Sequence, residues 1–89
     1  MKVFFLYRPN TDHERRVTDY VTEVKRQTGH EIELISLDTI DGSHRAKLYD
    51  IMEYPALVVI SDDGHIQQSW TGEEKLPLMN EITYYLSQV

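Results

Sequence analysis

Apolar residues along this chain fall in two patterns, short unbroken runs and spaced stripes, and the alternation between them predicts its elements. Lys2–Tyr7 (KVFFLY) is a continuous run of strand length closed by Arg8-Pro9-Asn10, which reads as a buried central strand followed by a loop. Over residues 11–28 the apolar positions spread to Val17, Tyr20, Val21 and Val24, one face of a helix that Gly29 stops. After Gly29-His30, Ile32, Leu34 and Leu37, with Ile35 offset, predict a second strand ending near Asp38. Asp41-Gly42-Ser43 opens a short helix over residues 44–52, with Leu48, Ile51 and Met52 on its inner side. Ala56–Ile60 (ALVVI) is a second unbroken run, Asp62-Asp63-Gly64 is a hairpin turn, and residues 65–70 return as an alternating strand with Ile66, Gln68 and Trp70 on one face, Ile66 inward. Met79, Ile82, Tyr85, Leu86 and Val89 make a closing amphipathic helix. Its start is placed near Leu76, so that Pro77 falls in the first turn, in preference to the capping box Thr71-x-x-Glu74.

The order is therefore βαβαββα. A strand, a crossover helix and a parallel strand, then a helix returning to an antiparallel hairpin, build a four-stranded mixed sheet with helices on both faces. At 89 residues the chain is expected to be a single domain, residues 1–89, with one modest core. There is no cysteine, so packing alone must hold that core. A cysteine-free chain without a signal-peptide core or an apolar run of membrane-spanning length is expected to be cytoplasmic, with no membrane partner. The net charge of −6 is uneven: residues 1–30 carry six Lys/Arg against four Asp/Glu, and residues 31–89 three against eleven. An acidic surface without basic clusters repels phosphate backbones, so nucleic acid is not an expected partner. A solvated acidic face explains the balance, and an acidic docking face for a basic partner is the alternative.

Pro55 narrows the reading. A proline inside a β-branched run would forfeit a ladder hydrogen bond, so it belongs at the mouth of the strand, where a cis Tyr54-Pro55 bond turns the chain. The segment LYDIMEYPALVVI resembles the thioredoxin stretch that runs from a helix through an apolar-Pro-Thr step into the third strand. DDGHIQQSWTG resembles the hairpin and strand that follow, closed by Gly72, and Leu37-Asp38 the end of the second strand. The first third, Leu6-Tyr7-Arg8-Pro9 and on to Glu14, is similar to the glutaredoxin-like pattern in which Leu-Tyr and a proline precede Cys-x-x-Cys. Together these identify the chain as a cysteine-free member of the thioredoxin-like superfamily. The resemblance implies an α/β fold of the thioredoxin-like βαβαββα type with Pro55 facing the start of the first helix.

The departures from the family bear on function. On this matching the two thiol positions hold Thr11 and Glu14, with Asn10 and His13 as the alternative one residue away. Neither pair offers a thiolate, so thiol-disulfide exchange is not expected. Thr11-x-x-Glu14 reads instead as a capping box, the Thr11 hydroxyl accepting from the Glu14 N–H and the Glu14 carboxylate from the Thr11 N–H, stabilising the helix start by about 1 kcal/mol. Phe5 and Leu34 stand where thioredoxins carry a buried acid and a lysine, and apolar residues there avoid burying a charge.

Other chemistry has thin support. His13, His30, His44 and His65 sit in separate loops or element ends without metal-ligand spacing, and read as surface histidines. Asp12-His13-Glu14 is a weak candidate for a metal or acid-base corner. The serines lack a nucleophile-elbow context and the four glycines do not form a phosphate cradle, so neither metal nor cofactor is expected. Trp70 reads as packing on the sheet, with an aromatic rim beside Tyr54 as the alternative. Two function classes follow: a non-catalytic module binding a protein or peptide across Asn10, Thr11, Tyr54, Pro55, Thr71 and Gly72, or an enzyme that is thiol-independent or borrows the thiol of glutathione. The first is favoured because the nucleophile is missing.

Overall fold

The computed structural model describes residues 1–88, and Val89, expected in the last helix, lies outside them. The elements follow the order β1 (Lys2–Tyr7), α1 (Glu14–Thr28), β2 (Glu33–Ser36), α2 (Ile40–Leu48), β3 (Ala56–Ile60), β4 (Ile66–Thr71), a single 3-10 turn (Glu73–Lys75) and α3 (Met79–Leu86). The sheet order is β2-β1-β3-β4, with β1 parallel to β2 and antiparallel to β3, and β3 antiparallel to β4.

Alternation along β1 divides the interior into two cores. Val3 and Phe5 point to the face covered by Val17 and Val24 of α1 and Ile82 and Leu86 of α3. Phe4 and Leu6 point to the other face, where Ala46 of α2 and Ile51 pack. β3 repeats the division, Leu57 and Val59 to the first face, Ala56, Val58 and Ile60 to the second, and all five are buried. An unbroken apolar run is what a strand covered on both sides requires, and each large aliphatic residue so buried contributes about 1.5–3 kcal/mol.

Four local expectations are corrected. Around β2 the buried residues are Ile35 within the strand and Ile32 and Leu37 just outside its ends, while Leu34, paired in register with Phe5, is 38% exposed at the sheet's edge. The argument from charge burial therefore holds at Phe5 and not at Leu34. α2 begins four residues earlier than the pattern suggested, at Ile40, because the Thr39 side chain caps it, accepting from the Gly42 N–H at 3.0 Å. With that phase Gly42 and Ala46 face inward, and Leu48 and Met52 face solvent. The helix stops at Leu48, Asp50 turns the chain with φ 55, and Ile51 folds back under it through a 2.8 Å bond from its N–H to the Ala46 carbonyl. In β4 a bulge intervenes: Val59 pairs with Gln68 but Ile60 with Ile66, so Gln67 is the extra residue. Ile66 is thereby moved to the opposite face from Gln68 and Trp70 and stands 39% exposed. Finally, α3 begins at Met79, and Pro77 lies buried in the extended segment before it, its carbonyl accepting from the Tyr20 hydroxyl at 2.9 Å.

Gly42 is where the fold demands a missing side chain. A Cβ there would lie 1.9 Å from the Ser36 carbonyl oxygen, which also accepts from Thr39 N–H and hydroxyl. Gly64 in the hairpin has φ 88 and open space around it. Gly42→Ala is accordingly expected to cost more than about 2 kcal/mol through forced backbone movement. Gly64→Ala costs only the left-handed penalty of about 1 kcal/mol, and urea unfolding of the two variants measures the difference.

Candidate functional site

One end of the sheet gathers the chain's irregular segments. β1 leaves it at Tyr7 into residues 8–13, β3 enters at Ala56 from Tyr54-Pro55, and β4 ends at Thr71 opposite Ala56. β2 ends there too, with the Leu37 N–H bonded to the Tyr7 carbonyl at 2.8 Å. The register therefore places Tyr54, Pro55, Thr71 and Gly72 side by side, with Asn10 and Thr11 on the adjoining loop. The carboxyl ends of the two parallel strands and the start of α1 face the same region, the usual place for a ligand on an open α/β sheet.

The loop before α1 is held differently from the expected capping box. The Thr11 hydroxyl donates to the Arg8 carbonyl at 2.6 Å instead of accepting from Glu14, whose N–H bonds to the Thr11 carbonyl at 3.1 Å. The Glu14 carboxylate accepts from the Asn10 N–H, one residue further back than Thr11. The helix consequently starts at Glu14, three residues later than expected, with His13 at its cap making no side-chain bond to the helix. His13 Nε2 instead accepts from the Arg8 N–H at 3.1 Å. Asn10 takes a left-handed conformation, φ 60, which the compact loop requires and asparagine tolerates. Thus His13 and Glu14 both serve backbone amides of their own loop. The Asp12-His13-Glu14 corner is a fastening, and among the described residues no group of His, Asp and Glu could hold a metal ion.

Across the sheet mouth the backbone is unevenly satisfied. The Tyr54-Pro55 bond is cis, and the Pro55 carbonyl accepts from the Gly72 N–H at 2.9 Å. Tyr54 donates its hydroxyl to the Ile51 carbonyl at 3.0 Å, yet among the described residues its backbone N–H and carbonyl have no hydrogen-bond partner. Among the described residues the N–H groups of Thr11, Asp12 and His13 likewise have no partner, that of His13 being a donor the helix start leaves open. Arg16 links the two sides of the region, its Nε donating to the Glu73 carbonyl at 3.3 Å beyond Gly72. Nothing in the sequence pattern marked this bond or that between His13 and Arg8. Both join side chains to backbone, which no residue spacing encodes.

Trp70 packs on the α1 and α3 face, edge-on to Tyr85 with ring centroids 5.6 Å apart, whereas Tyr54 packs against the α2 face. The two do not form one aromatic rim. His30 and His65 are exposed loop residues, His65 beside Asp63 at 3.2 Å, while His44 lies within α2 on its exposed side. A groove of about 470 Å³ runs between α1 and the start of α3, lined by Arg15, Arg16, Tyr20, Glu23 and Met79. Several of its polar groups are already engaged: Arg15 with Asp19, Glu23 with Arg26 and Gln27, Tyr20 with Pro77. Burial, and then the Glu81 carboxylate, push the Tyr20 phenol up, so it stays a donor. Hydrogen bonds from Arg26 and then Gln27 lower the Glu23 carboxyl to about 2.

No protein-family model matches the chain, and no curated protein matches its sequence. Among solved structures, thioredoxin 1 from the thermophilic eubacterium Thermosipho africanus TCF52B superposes with a TM-score of 0.65 at 9% identity, over 99% of this chain and 92% of that one. The fold is thioredoxin-like. At that identity the likeness speaks for the architecture alone, and the absence of cysteine separates this chain from dithiol chemistry.

Because the Glu23 carboxyl is depressed in the folded state, its contribution to stability is full above its ordinary value near 4.5 and is lost as pH falls through about 2. Carboxyl titration by NMR is expected to find the Glu23 midpoint near 2, moving toward 4.5 in Arg26→Ala.

Proposed function

We propose that the chain is a redox-inactive binding module that takes an extended peptide segment of a partner protein across Asn10, Thr11, Tyr54, Pro55, Thr71 and Gly72. The observation that carries this reading is the unpaired N–H and carbonyl of Tyr54 beside a strand that ends at the same level. Unpaired backbone at a sheet mouth is matched by another chain in extended conformation, whose own N–H and carbonyl complete the ladder. The free N–H groups of Thr11, Asp12 and His13 add donors and the positive end of the α1 dipole, suited to a carbonyl or carboxylate of the ligand.

An enzymatic reading finds less support. No thiol is present, and His13 and Glu14, the nearest acid-base pair, are spent on Arg8 and Asn10. Among the described residues no helix is long and apolar enough to cross a membrane. A reducing, cytoplasmic setting fits a core that uses no disulfide.

Amide chemical-shift mapping with glutathione, a soluble peptide carrying two carboxylates, and with peptides recovered by display selection tests the module. Asn10, Thr11, Tyr54, Thr71 and Gly72 are expected to shift together. Shifts confined to the hairpin around Asp62 and Asp63, or to α3, would contradict the reading. Disulfide-reduction assays are expected to show no acceleration over the uncatalysed rate.

A further inference from the structure

Open carboxylates gather where the sheet opens. Four connections lead to or from that end, residues 8–13, 37–39, 49–55 and 72–78, and together they carry six Asp/Glu against two Lys/Arg, a net −4. The six are Asp12, Asp38, Asp50, Glu53, Glu73 and Glu74. All are exposed, and among the described residues none has a side-chain hydrogen bond or an ion pair. The connections at the opposite end, residues 29–32 and 61–65, are acidic too, but there each carboxylate is held: Glu31 by Lys25, Asp62 by the Met1 amine and Asp63 by the Ser61 hydroxyl. The two ends differ in pairing, not in sign.

Three of the open carboxylates border the residues of the proposed binding site. Glu53 precedes Tyr54, and its Oε2 lies 3.5 Å from the point that a Cβ on Gly72 would occupy. Glu73 follows Gly72, and with Asp12 it lines the groove beside α1. The cations of that groove are turned to other groups, Arg16 donating through Nε to the Glu73 carbonyl and Arg15 lying 3.9 Å from Asp19. Like charges left unpaired around one opening repel each other and draw cations from outside.

From this rim we infer that the segment taken up at Tyr54 is basic, with Lys or Arg on both sides of the residue whose backbone pairs there. The inference deepens the peptide-binding reading and rests on it. Backbone pairing at Tyr54 is the same for every sequence, so it cannot select a partner; the side chains that meet Glu53, Asp12 and Glu73 can. The N–H groups of Thr11, Asp12 and His13 then take a peptide carbonyl, a neutral group that the rim does not repel. Each exposed ion pair contributes little, and several together favour a cationic peptide over a neutral one by about tenfold at low salt.

Amide-shift titration of the labelled protein with blocked peptides that share a Val-Thr-Val centre, flanked on each side by two lysines, two serines or two glutamates, reads both place and affinity. The lysine peptide is expected to shift Thr11, Tyr54 and Gly72 with a Kd about tenfold below that of the serine peptide, and the glutamate peptide to bind most weakly. At about 0.5 M salt the advantage falls to about twofold. Glu53→Gln with Glu73→Gln, which removes no side-chain bond within the chain, lowers the low-salt advantage to about threefold. Glu31→Gln with Glu33→Gln, which removes as much charge from the far end of the sheet, leaves it near tenfold. Equal affinity for the three peptides, or an equal loss in the two double variants, overturns the inference, while shifts at Tyr54 and Gly72 still uphold the binding reading. No shift there with any peptide overturns that reading and the inference with it.

Discussion

The pairing of β1 on both its edges is the constraint from which the remaining structure follows. Phe4, Phe5 and Leu6 are each within 1% of complete burial, alternating between two cores, so both faces of the sheet must be covered. α1 and α3 cover one and α2 the other. Parallel pairing with β2 demands a crossover, which α1 supplies, and antiparallel pairing with β3 brings Tyr54-Pro55 back to the end where β1 departs. The location of the candidate site is thus a consequence of strand direction. Core side chains such as Phe5 carry the stability, and truncation of a buried phenylalanine in such a place costs about 3–5 kcal/mol.

At that end, the proposed binding depends on which backbone groups are already bonded. Residues 8–13 close upon themselves through Thr11, His13 and Glu14, each bonded to a main-chain group of the same loop. Thr11 and Glu14, which the sequence resemblance sets against a dithiol's cysteines, shape this loop. Pro55 is tied to Gly72. Among the described residues the peptide groups of Tyr54 have no partner although Pro55 beside it is tied, and the proposed recognition by backbone pairing rests on that open position at the sheet mouth.

The architecture was legible because its strongest signals are periodic and long: KVFFLY and ALVVI are unbroken apolar runs, and Val17, Tyr20, Val21 and Val24 trace one helix face. What failed to show in the pattern was phase. Thr39 starts α2 four residues before the apolar spacing does, and the extra Gln67 in β4 reverses the face of Ile66. Neither a cap nor a bulge alters the composition of its segment, so each shifts side chains without warning. Gly42, read as lying just before a helix at residue 44, is inside α2, where the Ser36 carbonyl leaves no room for a side chain. At the site, Pro55 and Gly72 could be read because backbone demands restrict residue type. The roles of His13 and Glu14 could not, since their partners are main-chain amides that any sequence would present.

Native-state amide hydrogen exchange in the ligand-free protein tests most directly whether Tyr54 is the open backbone position of this sheet. The account predicts that the Tyr54 amide exchanges rapidly, while the Gly72 and Leu37 amides, bonded to Pro55 and Tyr7, are protected to the level of β3. Protection of Tyr54 equal to that of Gly72 would contradict it.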